Sequence, residues 1–210
     1  MLTLKEGRLM FSQPHTVSFE LPRWIGAYGA GYAATPDMHA RMAFVVEAAR
    51  RNVQAGTGGP FAAAVFRTDT AELVALGVNL VTTQGLSVLH AEMVAIALAQ
   101  RVLGTYDLGE NPEVSYELVS TGEPCAMCFG AIPWSGVRRI VCAARDADMR
   151  SIGFDEGPKL PQWDGALRAR GIEVVRDVGR EAAAEVLHSY RNGGGILYNG
   201  RQDNINLPKP

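Results

Sequence analysis

The segment GEPCAMCFGAIPWSG, residues 122–136, places two cysteines three positions apart at the head of an apolar run. On a helix, Cys125 and Cys128 would share one face of the first turn. Unpaired backbone N–H groups and the helix dipole favour the thiolate form there. Two thiolates would supply half of a tetrahedral zinc site. A redox pair and two ordinary core thiols remain alternatives for the pair taken alone.

A second element with chemical potential is HAE, residues 90–92, which opens another strongly helical pattern. Taken singly, His90 is typical of a capping or packing residue, and Glu92 of a side chain that complements the helix dipole. Together, HxE at one helix start and PCxxC at another match the signature of zinc-dependent deaminases. Each half-motif follows a predicted strand or loop, so both helix starts can converge on one ion.

The chemistry of these four residues is coherent. One imidazole and two thiolates leave a fourth position of Zn²⁺ open for water, whose pKa then falls towards about 7. Glu92 is not a ligand in this scheme. It takes the proton of the water, passes it to a ring nitrogen of the substrate and later protonates the departing amine. We therefore expect one catalytic Zn²⁺ per chain, held by His90, Cys125 and Cys128.

The remaining histidines and the third cysteine do not complete a closed, structural zinc site. Such sites usually have four protein ligands. His15, His39 and His188 lie outside any motif and are typical of surface or packing residues, and Cys142 lies in a predicted buried strand. Three ligands in good context favour a catalytic metal.

Composition narrows the class of protein. The 210 residues are 47% hydrophobic and 20% charged, with a net charge of −2, as in ordinary globular proteins. This charge argues against a large phosphate-binding surface, so nucleic acid is not an expected partner. No apolar run approaches the roughly 20 residues that span a bilayer, and the N-terminus does not resemble a secretory signal. The chain has only three cysteines, which is a poor basis for a disulfide framework and fits a reducing compartment. We therefore expect a cytoplasmic protein.

Apolar periodicity and turn residues predict a single α/β domain between two irregular ends. We expect an irregular N-terminal arm over residues 1–36, a domain over 37–192 and a tail over 193–210 that begins with GGG. Strands alternating with helices favour a layered α/β domain with a buried sheet. Helices are predicted at 38–54, 90–103, 125–136, 163–171 and 180–192, strands at 61–66, 72–81, 115–121, 138–144 and 172–178, and a long loop at 145–163.

From about residue 37 to 156, the HAE and EPCAMC motifs resemble those of the cytidine and deoxycytidylate deaminase superfamily. The resemblance implies a three-layer α/β/α fold with a central mixed sheet of about five strands. Finer features resemble the guanine deaminase branch of this superfamily. They are GGPFAAAVF at 58–66, the asparagine of LGVNLV, CFGAIPWSGVRRIV after the cysteines and GFDEG at 153–157.

The resemblance implies hydrolysis of guanine to xanthine and ammonia and, in some members, of triazines such as ammeline. It also implies roles for the base-binding residues. Asn79 and the backbone near Ala91 would bind the base edge. The walls of the pocket would be Phe61, Trp134 and Phe154. Three of these residues also have an ordinary structural interpretation: Asn79 as a turn or strand-end residue, Phe61 as a core residue and Trp134 as a packing residue.

Two further features carry roles implied by the same resemblance. Glu156 would be a second proton carrier with Asp155 orienting the site, unless both are simply solvated loop charges. The tail can exchange between subunits in this branch, so Tyr198 would reach the pocket of a neighbour in a homodimer. The sequence itself shows only a glycine hinge followed by an apolar, aromatic segment.

Three alternatives remain open at this stage. A tRNA adenosine deaminase shares both motifs, but it should carry basic residues that grip RNA, and Arg138 and Arg139 form only a small cluster. Guanosine or cytosine-type substrates would require only a different pocket size. A non-catalytic zinc-stabilised interaction module would require four protein ligands and would have no use for Glu92.

Overall fold

The computed structural model describes residues 12–198 and, in addition, the backbone of Leu4–Lys5 (β1) and Arg8–Leu9 (β2), which pair antiparallel. A five-stranded mixed sheet organises the rest of the described chain. Its order is β4-β3-β5-β6-β7, in which β3 runs antiparallel to both neighbours and β5, β6 and β7 run parallel. The strands are Ala62–Arg67 (β3), Leu73–Val78 (β4), Tyr116–Gly122 (β5), Arg139–Ala144 (β6) and Glu173–Val175 (β7).

Helices cover both faces of this sheet, as the fold prediction expects. The larger helices are Met38–Gln54 (α2), Ala91–Leu103 (α4), Ala126–Ser135 (α5) and Arg180–Asn192 (α8). Apolar residues of α2 and α8 share one core cluster, and those of α4 and α5 share the other. The central strands are apolar on both sides for this reason, since each face of a covered sheet must be buried. The three-layer α/β/α arrangement is confirmed.

Short helices complete the described chain. They are Trp24–Ala30 (α1), Val81–Gln84 (α3), Asp146–Ser151 (α6) and Trp163–Arg168 (α7). The strand predicted over 72–81 ends earlier than expected, because β4 stops at Val78 and α3 begins at Val81. The predicted loop over 145–163 is wrong for its first part, which forms α6. The backbone N–H of Arg145 donates to the Asp148 Oδ2 at 2.8 Å, so the Asp148 side chain caps the start of α6, a signal that the glycines and prolines of the segment obscured.

The N-terminal arm is not irregular throughout, which corrects the prediction for residues 1–36. Its helix α1 packs on α2, with the Tyr28 ring stacked on Phe44 at 4.6 Å between centroids. The Tyr28 hydroxyl donates to the Phe44 carbonyl oxygen at 2.7 Å. Tyr32 lies next to Phe66 in the sheet, 5.3 Å between ring centroids. Aromatic packing on the core stabilises this short, glycine-containing helix, which propensity alone does not predict.

Strand directions bring the chemical motifs to one edge of the sheet. β5 and β6 are parallel with Gly122 opposite Ala144, so the cysteine segment and the segment after β6 leave the sheet side by side. β3 begins at this edge, because Ala62 pairs with Val78 at the end of β4. Parallel strands of α/β sheets characteristically place ligand sites beyond their carboxyl ends. Among the described residues, no helix has the length and apolarity needed to cross a membrane.

At the opposite edge, a buried carboxylate holds the starts of two strands. Glu117 is fully buried and accepts from the Arg41 Nε at 2.7 Å and the Arg139 Nη1 at 3.1 Å. Arg139 also pairs with Glu173, whose side chain is largely exposed. Removing one partner of a buried ion pair leaves an uncompensated buried charge, which is strongly destabilising.

We expect Glu117→Gln to lower the free energy of unfolding by about 3–5 kcal/mol, because the guanidinium of Arg41 would lose its counter-charge without water to replace it. The matched control is Glu173→Gln, at the exposed end of the same network, with an expected loss of about 0–1 kcal/mol. Urea denaturation of both variants measures the two values. Equal losses would contradict the assigned importance of the buried pair.

Candidate functional site

Two helix starts bring the predicted metal ligands together. His90 is the N-cap residue of α4, Cys125 is the N-cap residue of α5, and Cys128 lies in the first turn of α5. Their ligand atoms all lie within 4.8 Å of one another, and the Cys125 Sγ is 3.5 Å from the His90 Nδ1. No side-chain cap hydrogen bond uses His90 or Cys125. Both N-cap side chains therefore serve the cluster.

A glycine in the sheet allows α4 to bring His90 this close. A Cβ added to Gly77 in β4 would lie 2.6 Å from the carbonyl oxygen of Ala91 and 2.5 Å from the backbone nitrogen of Ala95. Any larger residue would push the first turns of α4 away from the sheet. The close approach therefore fixes the position of His90 and of Glu92 relative to the strand ends.

The protonation chemistry of the three side chains suits a divalent metal ion. A hydrogen bond from Cys128, opposed by burial and aided by His90, lowers the pKa of the Cys125 thiol to about 4. The hydrogen bond to Cys125 and burial raise the pKa of Cys128 well above its ordinary value. The shared hydrogen bond thus favours one thiolate in the pair, and a bound cation would favour deprotonation of both thiols. A soft N/S₂ donor set of this kind fits zinc.

Two carboxyl groups lie beside this cluster in places that water reaches poorly. Glu92, in the first turn of α4, is buried, and burial raises its pKa. Glu156 is also buried, and burial, followed by the charges of Cys125 and Glu92, raises its pKa to about 8. Raised pKa values mark carboxyl groups that can exchange protons near neutral pH, as acid–base catalysts do.

The segment after α6 holds Glu156 against the cysteine helix. The backbone N–H of Ala126 donates to the carbonyl oxygen of Glu156 at 2.9 Å. Asp155 turns back on the same segment, where its Oδ1 accepts from the backbone N–H of Gly157 at 2.9 Å. The adjacent acidic residues thus differ in role: Glu156 is buried in the site, and Asp155 shapes the turn that holds it there.

A cavity of about 420 Å³ opens beside the cluster. Its aromatic wall consists of Phe61, Phe154 and Tyr198, with Phe154 in edge contact with the other two at 5.1 Å and 5.2 Å. The Tyr198 ring also lies 6.1 Å from His90. The lining includes the following predicted site residues: Phe61, Asn79, His90, Glu92, Cys125, Phe154, Asp155, Glu156 and Tyr198. Flat, largely apolar walls with a few polar groups suit a planar heterocycle.

Two polar groups at this cavity have unused hydrogen-bonding capacity. The Asn79 Oδ1 accepts from the backbone N–H of Val81 at 3.3 Å, whereas its Nδ2 is buried without a partner. The hydroxyl of Tyr198 is likewise buried without a partner. Buried polar groups are normally paired, so unpartnered ones at a cavity indicate a ligand that completes them.

The structure does not place every predicted residue in the cavity. The prediction that Trp134 forms a wall of the site is wrong for this chain's own cavity. Its side chain is 85% exposed, because it lies near the end of α5 on the side away from the sheet. Ala91 is buried behind the lining, so its predicted contact would involve only the backbone and stays a prediction. Tyr198 lines the cavity of its own chain. Exchange of the tail stays a prediction, and its residues 199–210 lie outside the described part of the chain.

Sequence reasoning missed Glu123, which lines the cavity next to the cysteines. This buried carboxylate accepts from the Arg176 Nε at 2.8 Å, the Lys159 Nζ at 3.4 Å and the backbone N–H of Asp146 at 3.1 Å. It thereby ties the cysteine segment to the segment that carries Glu156. Its place directly before Pro124 in EPCAMC was the available signal. Ser87, Ser120 and Met149 also line the cavity without belonging to any motif.

The arrangement of His90, Cys125 and Cys128 agrees with the protein family that the sequence matches. Residues 36–144 match the family described as the cytidine and deoxycytidylate deaminase zinc-binding region. The chain belongs to this deaminase family. The match includes both half-motifs of the cluster, whereas Glu156 and Tyr198 lie beyond it.

Within the deaminase family, guanine deaminases are among the similar relatives. The chain is 39% identical to guanine deaminase of Bacillus subtilis (strain 168) over 127 residues, which cover 60% of this chain and 77% of the relative. It is 33% identical to the tRNA-specific adenosine deaminase of Haemophilus influenzae (strain ATCC 51907 / DSM 11121 / KW20 / Rd), also over 127 residues, covering 60% and 68% of the two chains.

Solved structures show likeness over a larger part of the chain. A structure of guanine deaminase from Nitrosomonas europaea superposes with a TM-score of 0.82 at 43% identity, covering 87% of this chain and 100% of that one. A related structure in complex with 2,6-diaminopurine gives a TM-score of 0.81 at 45% identity, covering 88% and 97%. The likeness thus extends well beyond the 127 residues aligned with the curated relatives.

Proposed function

We propose that this deaminase hydrolyses guanine to xanthine and ammonia. The observation that carries the proposal is the combination of the N/S₂ cluster with two buried carboxyl groups, Glu92 and Glu156, that line one aromatic cavity. Over 127 residues in each case, the identity to guanine deaminase is 39%, against 33% to the tRNA-specific adenosine deaminase, and the solved guanine deaminase structure covers 87% of this chain; both favour guanine over other amino-substituted bases. Triazines such as ammeline present a similar amino-substituted ring and are expected as secondary substrates.

His90, Cys125 and Cys128 would hold one zinc ion per chain. Three ligands are typical of catalytic zinc sites, which keep one position free, whereas structural sites have four. Cys142, the remaining cysteine, lies in β6 with its pKa raised by burial, and it is absent from the cluster. When bound, zinc supplies a Lewis acid that activates water near neutral pH.

Glu92 is proposed as the main proton carrier. Its carboxylate accepts the proton of the attacking water and delivers it to a ring nitrogen of guanine as C2 becomes tetrahedral. In the second half of the reaction it takes the proton of the hydroxyl now on C2 and passes it to the amino group, which leaves as ammonia as the C2 carbonyl forms. Burial beside the cluster suits both halves, because a carboxyl shielded from water exchanges protons at a pH nearer neutrality.

Glu156 is proposed as a second proton carrier at the same cavity. The reaction adds a ring proton and expels an amine, so two carboxyl groups permit separate deliveries. Burial and neighbouring negative charges raise its pKa to about 8, which suits a proton donor near neutral pH. Asp155 would orient this segment through the backbone N–H of Gly157 rather than transfer protons itself.

Base recognition would depend on the groups that lack partners. The free Nδ2 of Asn79 is a donor, and the oxygen at C6 of guanine is an acceptor of the kind it requires. The hydroxyl of Tyr198 can bond a second polar atom of the base edge. The rings of Phe61 and Phe154 would enclose the purine plane, and the backbone at Ala91 could add a further donor.

A substrate panel tests this proposal against its alternatives. Ammonia release would be measured with guanine, guanosine, adenine, cytosine, cytidine and ammeline. Turnover of guanine with weaker turnover of ammeline is the expected result. Activity on guanosine or a pyrimidine instead would retain the zinc chemistry but overturn the guanine assignment. Activity only on an adenosine-containing tRNA stem-loop would favour the tRNA deaminase alternative, and silence throughout would favour a non-catalytic module.

We expect Glu156→Gln to lower kcat for guanine by about 10²-fold while zinc content is unchanged, because glutamine keeps the shape but cannot donate a proton. The matched control is the neighbour, Asp155→Asn, which should cost less than about tenfold because Asp155 acts on the loop and not on the ring. Steady-state kinetics with metal analysis separates the two. A larger loss for Asp155→Asn would reverse the assigned roles.

We also propose that the protein forms a homodimer and is located in the cytoplasm. A homodimer is expected from the resemblance to the guanine deaminase branch, with the tail near the site of one subunit or the other. A cytoplasmic location is consistent with free cysteines at 125, 128 and 142. Light scattering of the purified protein tests the first point.

A further inference from the structure

Asn79 is held in place by a second asparagine that no motif indicated. Asn52, near the end of α2, is fully buried. Its Nδ2 donates to the backbone carbonyl oxygens of Asn79 and of Gly59, each at 2.9 Å. A buried amide with both hydrogens on carbonyl groups has a defined orientation, because its oxygen could not replace its nitrogen there.

The surrounding backbone packs too closely for Asn79 to move independently of this amide. A Cβ added to Gly58 would lie 1.9 Å from the carbonyl oxygen of Asn79 and 2.8 Å from the Asn52 Nδ2. At the neighbouring Gly59, a Cβ would lie 3.0 Å from both the Asn79 Oδ1 and the Tyr198 hydroxyl oxygen. Gly58 and Gly59 therefore pack directly against Asn79, and Gly59 also packs against the Tyr198 hydroxyl. Asn52 links Gly59 to Asn79 through its two hydrogen bonds.

Every other polar atom of Asn79 is also in use. Its backbone N–H donates to the carbonyl oxygen of Phe61 at 3.0 Å, and its Oδ1 accepts from Val81. Only the Nδ2 lacks a partner. The direction of that free donor is consequently set by the backbone position of Asn79, which the amide of Asn52 fixes from behind.

The same chain of hydrogen bonds leads to the N-terminal arm. The Thr57 hydroxyl donates to the Asn52 Oδ1 at 2.7 Å, and the Trp24 Nε1 lies 3.3 Å from that hydroxyl oxygen. Trp24 is the first residue of α1. Donors thus run in one direction from indole to hydroxyl to amide to the Asn79 carbonyl, and successive hydrogen bonds polarise one another.

We infer that Asn52 is a positioning residue for base recognition, and that Trp24 extends this support into the N-terminal arm. The inference rests on the proposed contact between Asn79 and the substrate. Asn52 itself does not line the cavity, so its effect on the substrate passes through Asn79. The N-terminal arm would thus contribute to substrate binding, because it supports the part of the pocket that recognises the base.

Steady-state kinetics with guanine tests the inference. Asn52→Ala should raise KM about tenfold, since two carbonyls lose their donor and Asn79 loses its fixed direction, while kcat changes less than about threefold. Zinc content should be unchanged. Thr57→Val and Trp24→Phe, which keep the shape of the support but remove one donor each, should raise KM by about two- to threefold.

A double-mutant cycle distinguishes positioning from general destabilisation. In an Asn79→Ala background, Asn52→Ala should change KM by less than about twofold, because its effect passes through the group already removed. The same fold-change in both backgrounds would overturn the inference. If Asn52→Ala fails to fold, Thr57→Val in the two backgrounds provides the same comparison.

A matched structural control is Ser135→Ala. Ser135 is as deeply buried as Asn52 and donates to a backbone carbonyl at 2.7 Å, but it lies at the far end of α5. It should lower the melting temperature and leave KM unchanged. Lack of guanine turnover by the unaltered protein would instead refute the proposed function. If the unaltered protein is active but Asn52→Ala and Asn79→Ala have additive effects, only the positioning role of Asn52 is refuted.

Discussion

Replacement of Glu92 by glutamine should abolish almost all turnover without loss of zinc. The expected fall in kcat is about 10³–10⁴-fold, because the same carboxyl group transfers protons in both halves of the reaction. Glutamine keeps the volume and the hydrogen-bonding shape of the buried side chain, so the cluster of His90, Cys125 and Cys128 stays intact. Ammonia release and metal analysis on the same sample provide the two readings.

The control for this variant is Glu123→Gln, a second buried carboxylate at the cavity. Glu123 pairs with Lys159 and Arg176 rather than with the substrate, so its loss should mainly lower stability. Comparable kcat losses in both variants, or loss of zinc from Glu92→Gln, would contradict the role assigned to Glu92. Full activity of Glu92→Gln would favour a non-catalytic zinc module.

The second large effect is expected from Cys125→Ala, which should lose both zinc and activity. Two of three ligands cannot hold the ion tightly, and the variant also removes the cysteine whose thiol has the lowered pKa. Zinc binds the folded chain and so adds stability, by about 2.7 kcal/mol when free zinc is 100-fold above its dissociation constant. Thermal unfolding with and without zinc should therefore show a stabilisation that Cys125→Ala lacks.

Cys142→Ala is the matched control for this variant. Cys142 is fully buried in β6 and lies outside the cluster, so its replacement should cost some stability by leaving a small cavity but should not affect zinc. Zinc retained at full occupancy in Cys125→Ala would contradict the ligand assignment. Loss of zinc in Cys142→Ala would show that the metal is bound elsewhere.

The residues of the metal cluster could be predicted from the sequence because they lie at helix starts. Helix N-termini carry recognisable patterns, and HAE and PCAMC each place their ligands within one turn, so local spacing determines most of the geometry. The strand order that brings the two starts together depends on long-range pairing. The resemblance to the family implied a mixed sheet of about five strands, whereas the order of those strands is known only from the structure.

The residues that sequence reasoning misjudged depend on tertiary contacts. Trp134 fits an apolar helix pattern, yet α5 turns it to the surface, where its side chain is exposed. α1 contains glycines and looked irregular, but aromatic contacts with Phe44 stabilise it. Asn52 belongs to no sequence motif, and its hydrogen bonds become visible only in the structure, where Gly58 and Asn79 pack closely beside it.

The measurement that tests the central claim most directly is the stoichiometry of the guanine reaction. Zinc-loaded protein, chelator-treated protein and the Glu92→Gln variant would each be incubated with guanine, and xanthine and ammonia would be quantified separately. The account predicts equimolar xanthine and ammonia from the zinc-loaded protein, little from the chelated protein until zinc is restored, and almost none from the variant. Guanine left unchanged by fully zinc-loaded, folded protein would contradict it.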